Sequence, residues 1–161
     1  MGFISVHVPF LGFLVASFFI QGLEAVSCPK HWYMFEDFCY GFFKEKLTWN
    51  EAESECATYG KDGHLASIHS EREMAFLSSA LLMNYAERFR IWIGLYKLPG
   101  GKTRFRWQDH SRGEYIPWAP HQPSNCKQNQ NCVELYATDY KHWNDQFCDV
   151  EQPYLCKMSL V

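Results

Sequence analysis

Apolar residues recur at helical spacing in one segment of the first half of the chain. Trp49, Ala52 and Cys56 stand at positions i, i+3 and i+7, so they would share one face of a helix. Residues 48–51 (TWNE) form a capping box, with threonine at the N-cap and glutamate three residues later. The pattern therefore predicts a helix that begins here and runs towards Tyr59, just before two glycines.

A second helix is predicted shortly after the first. Residues 70–73 (SERE) form another capping box, with serine at the N-cap and Glu73 three residues later. An apolar stripe at positions i, i+3, i+7 and i+8 follows, and we expect it to face the core: Met74, Leu77, Leu81 and Leu82.

The remaining pattern predicts short strands and one long polar loop. Residues 28–40 are aromatic and bounded by cysteines, as expected of a small hairpin clipped by one bridge. Apolar or alternating runs predict strands at residues 64–68, 91–95, 104–107, 133–136, 142–143 and 154–157. Residues 109–131 are polar and contain three prolines, which favours an ordered functional loop. We expect an α+β fold, with two helices first and then short antiparallel strands and long loops.

The amino terminus carries a run of thirteen nearly all apolar residues, from Val8 to Ile20. The run is shorter than the ~20 residues of a membrane-spanning helix and is typical of a signal peptide. We predict a signal peptide over residues 1–25, with cleavage after Ala25 or Ser27; an amino-terminal anchor is the alternative. No later stretch of sequence approaches membrane-spanning length. The mature protein is predicted to be secreted and not embedded in a membrane.

Length, charge and composition narrow the classes of function. A chain of 161 residues allows one ordinary domain with a real core. Its net charge of -3 and its scattered basic residues give no reason to expect a nucleic-acid partner. Aromatic residues make up 17% of the chain, which favours an aromatic-rich core.

Seven cysteines lie beyond the predicted signal peptide, in a chain bound for an oxidising compartment. None belongs to a C-x-x-C pair, which disfavours a zinc ribbon or a thioredoxin-like redox site. Structural disulfides are the favoured interpretation. The odd count leaves one thiol that is either free or bridges two chains.

No motif indicates an enzyme. The sequence lacks a Gly-x-Ser-x-Gly elbow, a His-Glu-x-x-His motif and a phosphate-binding glycine loop. Carboxylates of the later loops could be imagined as an acid/base pair, but nothing fixes their separation: Asp109, Glu114, Asp139 and Asp145. We expect a binding protein without catalytic activity.

Taken together, these features resemble the C-type lectin-like domain, and the resemblance covers nearly the whole mature chain. Its motifs are residues 39–43 (CYGFF), 64–68 (HLASI), 91–95 (IWIGL), 122–124 (QPS) and 143–145 (WND), together with Trp107 and the cysteines at 56, 132, 148 and 156. Secreted single-domain members, such as venom lectins and regenerating-type proteins, have a similar layout. The resemblance implies a C-type lectin-like fold over residues 28–158, with a long ligand-binding loop and disulfide staples.

The resemblance also implies how the cysteines pair. The family pattern gives the bridges Cys28–Cys39, Cys56–Cys156 and Cys132–Cys148, which leaves Cys126 in the long loop. We expect Cys126 to bridge two chains into a covalent dimer, homo- or heteromeric, with higher avidity for a multivalent surface. The alternatives are an unpaired thiol, or competition of Cys126 with Cys132 for Cys148.

In the sugar-binding members that this chain resembles, a loop and a neighbouring strand hold one Ca²⁺ ion. The vicinal hydroxyls of the sugar complete its coordination shell, since calcium accepts about six to eight oxygen ligands in flexible geometry. Carried over by resemblance, the metal-binding and sugar-binding residues here are Gln122, Ser124, Gln130, Asn144 and Asp145.

Two of these positions depart from the family pattern. Ser124 stands where Asn or Asp is expected, and Gln130, two residues before Cys132, stands where an acid is expected. Asp145 is then the one carboxylate of the set, so we expect weak calcium binding, because affinity depends on charged ligands. Glu134 lies near enough in the sequence to compensate. The Gln-Pro order is more similar to galactose-type than to mannose-type sites, but it does not name the sugar.

Two binding functions follow from the resemblance. The first is a secreted lectin that binds carbohydrates of cell-surface glycoproteins or glycolipids, with calcium as a weak cofactor. The alternative is a calcium-independent module that binds proteins, such as clotting factors or platelet and cell receptors. A third role, as a mineral-associated or antimicrobial protein, is disfavoured because acidic tracts are absent.

Overall fold

Eight strands, two α-helices and one short 3-10 helix form within residues 27–60, 62–98, 104–125 and 129–160, which are the residues that the computed structural model describes. In chain order they are β1 Tyr33–Phe35, β2 Phe38–Leu47, α1 Trp49–Cys56, the 3-10 helix Ala57–Tyr59, β3 His64–Leu65, α2 Glu71–Asn84, β4 Ile91–Lys97, β5 Phe105–Trp107, β6 Cys132–Leu135, β7 Trp143–Gln146 and β8 Gln152–Ser159.

Helix α1 begins at the predicted capping box. The Thr48 hydroxyl accepts a hydrogen bond from the Glu51 amide, and the Glu51 carboxylate accepts one from the Thr48 amide at 3.0 Å. The predicted helix towards Tyr59 is confirmed, although its last turn tightens into the 3-10 helix. Its predicted apolar face is buried: Trp49, Ala52 and Cys56.

Helix α2 has only half of its predicted capping box. Ser70 accepts from the Glu73 amide at 3.1 Å, but the Glu73 carboxylate does not bond back to the Ser70 amide. Glu73 is buried, and it instead accepts from the His69 amide at 2.8 Å, from the Tyr40 hydroxyl, and from Lys157 Nζ at 3.1 Å. Tertiary partners on the sheet therefore replace the local partner. Of the predicted apolar stripe, three residues are buried and Leu82 is partly buried.

The strands join in one sheet with the order β1-β2-β8-β4-β6-β7, while β3 pairs with β8 and β5 with β4. The pairings are antiparallel, as predicted, except for β4 with β8, which meet in parallel where Trp92 lies opposite Tyr154. The sheet is therefore mixed at this one contact. The strand predicted at residues 64–68 is also shorter than expected. Ala66 leaves the ladder and bridges two strands, donating to Leu155 O at 2.8 Å and accepting from the Gly94 amide at 2.9 Å.

The core is rich in aromatic side chains, as the composition predicts. Trp92 and Trp143 are fully buried, and Trp107 meets Trp143 edge to face with ring centroids 5.5 Å apart. Such edge-to-face contacts contribute about 0.5–1.5 kcal/mol beyond area burial. This packing anchors β7, the strand that carries the predicted ligands Asn144 and Asp145.

Three disulfides join cysteines of the described residues, and they are the three that the resemblance implies. Cys28–Cys39 closes the first hairpin, Cys56–Cys156 ties α1 to β8, and Cys132–Cys148 ties β6 to the turn after β7. Cys126 and the predicted signal peptide lie outside the described residues, so the interchain bridge and the cleavage site stay predictions. No helix among the described residues is long and apolar enough to cross a membrane.

Candidate ligand-binding loop

The long loop between β5 and β6 is strapped against β7. The Trp143 amide donates to Pro117 O at 2.9 Å, and the Ala119 amide donates to Trp143 O at 2.9 Å. These bonds make a short parallel bridge between Trp118 and Trp143. The loop then passes the next residues of β7, so that residues 122–125 lie against Asp145.

Asp145 organises this part of the loop. One carboxylate oxygen accepts from the Ser124 amide at 2.8 Å, and the other accepts from the Asn125 amide at 2.6 Å. The Ser124 amide also donates to Gln122 Oε1 at 2.9 Å, and the Gln122–Pro123 peptide bond is cis. Because Asp145 is fully buried, its charge is stabilised by these backbone donors rather than by water.

Ser124 connects Gln130, the remaining predicted ligand of the loop, to Asp145. Its hydroxyl donates to Gln130 Oε1 at 2.8 Å and lies 3.4 Å from an Asp145 carboxylate oxygen. Gln130 is buried, whereas Ser124 is exposed and Gln122 is half-buried. Four of the five predicted ligands therefore meet at one place: Gln122, Ser124, Gln130 and Asp145.

Asn144, the fifth predicted ligand, bonds to a different group. Consecutive residues of a strand face opposite sides, and the register of β6 with β7 places Asn144 opposite Glu134 and Asp145 opposite Val133. The Asn144 side-chain NH₂ donates to Glu134 Oε1 at 2.7 Å. Only the amide oxygen of Asn144 remains as the atom that calcium would use.

Glu134 belongs to a buried polar cluster rather than to the loop. Besides Asn144, it accepts from Gln152 Nε2 at 2.7 Å and from the Arg90 guanidinium. Burial disfavours the charge of Arg90, but the hydrogen bond and the charge of Glu134 raise the pKa of the guanidinium above its ordinary value. The suggestion that Glu134 compensates at the site is not supported by these contacts. The sequence does carry a signal for this cluster. Glu134 is the single acid in the otherwise apolar strand β6, and a buried charge needs partners.

The predicted ligands offer the type of atom that calcium prefers, but only one of them carries a charge. The side-chain atoms that converge are all oxygens, which calcium prefers, and Asp145 supplies the single negative charge. Within the described residues, no group of three or more His, Cys, Asp or Glu side chains is placed to hold a metal ion. Each Asp145 oxygen already accepts an amide hydrogen but retains capacity for a cation. This chemistry suits a weak calcium site.

Residues 45–158 match the family model for the lectin C-type domain. The chain belongs to the C-type lectin family. A C-type lectin of Thrasops jacksonii, described as a lectoxin, is 40% identical over 148 residues, covering 91% of this chain and 93% of the relative. A C-type lectin described as a galactose-binding isoform, from Pseudechis australis, is 34% identical over 148 residues, with the same coverage of both chains.

Solved structures confirm the C-type lectin fold. The C-type lectin CEL-I from Cucumaria echinata superposes with a TM-score of 0.76 at 30% identity, covering 83% of this chain and 99% of that one. A calcium-independent type II antifreeze protein superposes with a TM-score of 0.72 at 27% identity, covering 86% of this chain and 99% of that one. The fold of this C-type lectin is thus shared with a protein that is described as calcium-independent.

Proposed function

We propose that this C-type lectin binds carbohydrate where the loop residues Gln122, Ser124 and Gln130 meet Asp145, with a weakly held Ca²⁺ ion as cofactor. The observation that carries the proposal is the meeting of Gln122, Ser124, Gln130 and Asp145 around the Ser124 hydroxyl. Amide and carboxylate oxygens are the groups that accept hydrogen bonds from sugar hydroxyls. Ser124 is exposed, so a sugar can reach this cluster from solvent.

Calcium would be held by Gln122, Gln130 and Asp145, with Ser124 as a further ligand or as the brace between Gln130 and Asp145. Asn144 stays a predicted ligand: its amide oxygen would be the ligand atom, because its NH₂ donates to Glu134. When bound, the ion supplies a positive centre for two neighbouring sugar hydroxyls. The single carboxylate supports weak affinity.

The setting of the proposed function is outside the cell. We propose that the protein is secreted, that its targets are glycans of cell-surface glycoproteins or glycolipids, and that Cys126 links two chains. A galactose-binding description among its relatives makes galactose the first sugar to test.

The proposal is tested by binding of the secreted protein to immobilised galactose and mannose, with and without a calcium chelator. Asp145→Asn removes the one carboxylate among the proposed ligands but keeps one oxygen acceptor, so we expect at least about a tenfold loss of sugar binding. Asp149→Asn is the matched control, because Asp149 is exposed and follows the same strand. Sugar binding that Asp145→Asn and chelator both leave unchanged would contradict the proposal.

One observation favours the alternative of calcium-independent protein binding. Both Asp145 oxygens accept loop amides, so the loop is braced by its own hydrogen bonds without an ion. The similarity to an antifreeze protein described as calcium-independent supports a binding surface that keeps its shape without an ion. Under this alternative, neither free galactose, free mannose nor chelator would reduce binding to the protein target.

A further inference from the structure

A groove runs along β5 beside the ligand-binding loop. It consists of two adjoining hollows of about 450 and 480 Å³ that share Phe105, Arg106 and Ile116. We call it the β5 groove, and the lining residues that matter here are Arg104, Phe105, Arg106, Arg112, Ile116 and Trp118.

The β5 groove is positively charged although the whole chain has a net charge of -3. Arg104, Arg106 and Arg112 are exposed, and Glu114 is the one carboxylate among the lining residues that the structure describes. In the described part of the chain, none of these three arginines lies within 4.0 Å of an acidic side chain. Their guanidinium groups are therefore available to an anion from outside.

Arg104 and Arg106 flank Phe105 in the sequence, and all three residues line the hollow of 480 Å³. Arg106 lines both hollows, whereas Arg104 lines one and Arg112 the other. The positive charge thus continues along the whole groove rather than standing at one end.

The floor of the β5 groove is apolar and aromatic. The rings of Phe105 and Trp118 pack against each other with centroids 4.9 Å apart, and Ile116 lies beside them. Aromatic side chains present flat surfaces of large contact area, which suit the apolar face of a sugar ring.

The β5 groove is continuous with the candidate site. Pro123 lines the hollow of 480 Å³, and its two sequence neighbours are the candidate ligands Gln122 and Ser124. A ligand longer than one sugar, bound at the loop, therefore meets this groove next.

We propose that the β5 groove is an extended subsite for acidic saccharides. A sugar held at the loop continues over Phe105 and Trp118 and places a sulfate or carboxylate group at Arg104 and Arg106. Guanidinium groups pair with such planar or tetrahedral anions through two parallel hydrogen bonds, and these charge-assisted bonds are strong. The inference rests on the proposed function, because the loop supplies the first sugar.

The test compares neutral sugars with their acidic forms by calorimetry on the secreted, oxidised protein. The probes are lactose and mannose, the same sugars sulfated on the 6-oxygen of galactose or mannose, and 6′-sialyllactose, which carries a carboxylate instead. Substitution at the 6-oxygen leaves the ring hydroxyls unmodified. We expect at least one acidic form to bind about tenfold tighter than its neutral parent.

The double variant Arg104→Gln with Arg106→Gln is expected to erase this advantage and to leave the affinity for the neutral sugar unchanged. The matched control is Arg72→Gln with Arg88→Gln, which removes the same charge from exposed arginines in and after α2. The control is expected to keep the tenfold advantage.

The outcomes separate the groove from the loop. Equal affinity for acidic and neutral sugars overturns the groove proposal and leaves the loop function standing. The same conclusion follows if the tighter binding of the acidic sugar survives the Arg104/Arg106 double variant. It follows as well if the Arg104/Arg106 variant and the Arg72/Arg88 control lose that tighter binding equally. Binding of an acidic form alone, lost in the double variant, supports the groove and overturns the loop as the site of neutral sugars. Absence of binding to every probe overturns both.

Discussion

At the scale of single residues, the charge of the candidate site rests on Asp145. Gln130 and Ser124 supply oxygens that converge on the same place but carry no charge. Replacing Ser124 by Asp and Gln130 by Glu would add one carboxylate at each position. These substitutions therefore test whether the number of charged ligands limits calcium binding.

We predict that Ser124→Asp combined with Gln130→Glu tightens calcium binding by roughly tenfold or more, because each change adds a charged oxygen ligand. Without calcium the same variant should unfold at a lower temperature than wild type, since three carboxylates then repel one another. Thermal unfolding with and without calcium measures both effects. The control Asn129→Asp adds one charge at an exposed neighbour. An equal effect of that control would show that general charge, not the ligand set, controls binding.

Glu134 illustrates a different role for a carboxylate close to the site. It is fully buried, and its side-chain partners Arg90, Asn144 and Gln152 are all donors. Replacing one oxygen by an NH₂ group would therefore point a donor at another donor.

We predict that Glu134→Gln lowers the free energy of unfolding by about 2 kcal/mol, the cost of an unsatisfied buried group. Because this loss comes from the polar cluster, it should be equal with and without calcium in chemical denaturation. Glu151→Gln, at an exposed position, should change stability little. A loss seen only in the presence of calcium would instead make Glu134 a ligand.

At the scale of elements, the link between α2 and the sheet depends on Glu73. The same carboxylate contacts Tyr40 of β2 and Lys157 of β8, and it accepts the amide of His69 just before the helix. The sequence predicted the helix start correctly from Ser70. It could not show that buried tertiary partners outcompete the local Ser70 amide, because nothing in residues 70–73 records which face of the helix meets the sheet.

We predict that Glu73→Gln costs about 3 kcal/mol of stability, because it leaves Lys157 buried without its counter-ion. Ser70→Ala removes only the N-cap bond and should cost about 1 kcal/mol. Chemical denaturation of the two variants compares these losses directly. Equal losses would mean that Glu73 acts only as a local cap.

At the scale of the whole molecule, the disulfides close loops of very different length. Cys56–Cys156 spans 100 residues of sequence, whereas Cys28–Cys39 spans 11. If the bridges act by restricting the unfolded chain, the longer loop should contribute more.

We predict that replacing Cys56 and Cys156 by alanine costs about 2 kcal/mol more than replacing Cys28 and Cys39, from the difference in loop entropy. The free energies of unfolding of the two double variants test this. A larger loss for the short bridge would contradict the entropic account.

The two helices were predictable because their signals are local, namely the N-cap at Thr48 and the stripe from Met74 to Leu81, whereas the fold and the disulfide pairing were implied by the resemblance to the family. The site was only partly predictable. Gln122, Ser124, Gln130 and Asp145 do meet, but the residue that Asn144 meets, Glu134, depends on the register of β7 with β6. The β5 groove was missed because Arg104 and Arg112 look scattered in the sequence and are brought to one groove by the long loop.

The most direct test of the central claim is calorimetric titration of calcium into the secreted, oxidised protein, with and without galactose and mannose. We predict weak, saturable calcium binding that tightens when one of the two sugars is present. Absence of calcium binding up to millimolar concentrations, with either sugar, would contradict it and make a protein the ligand to look for.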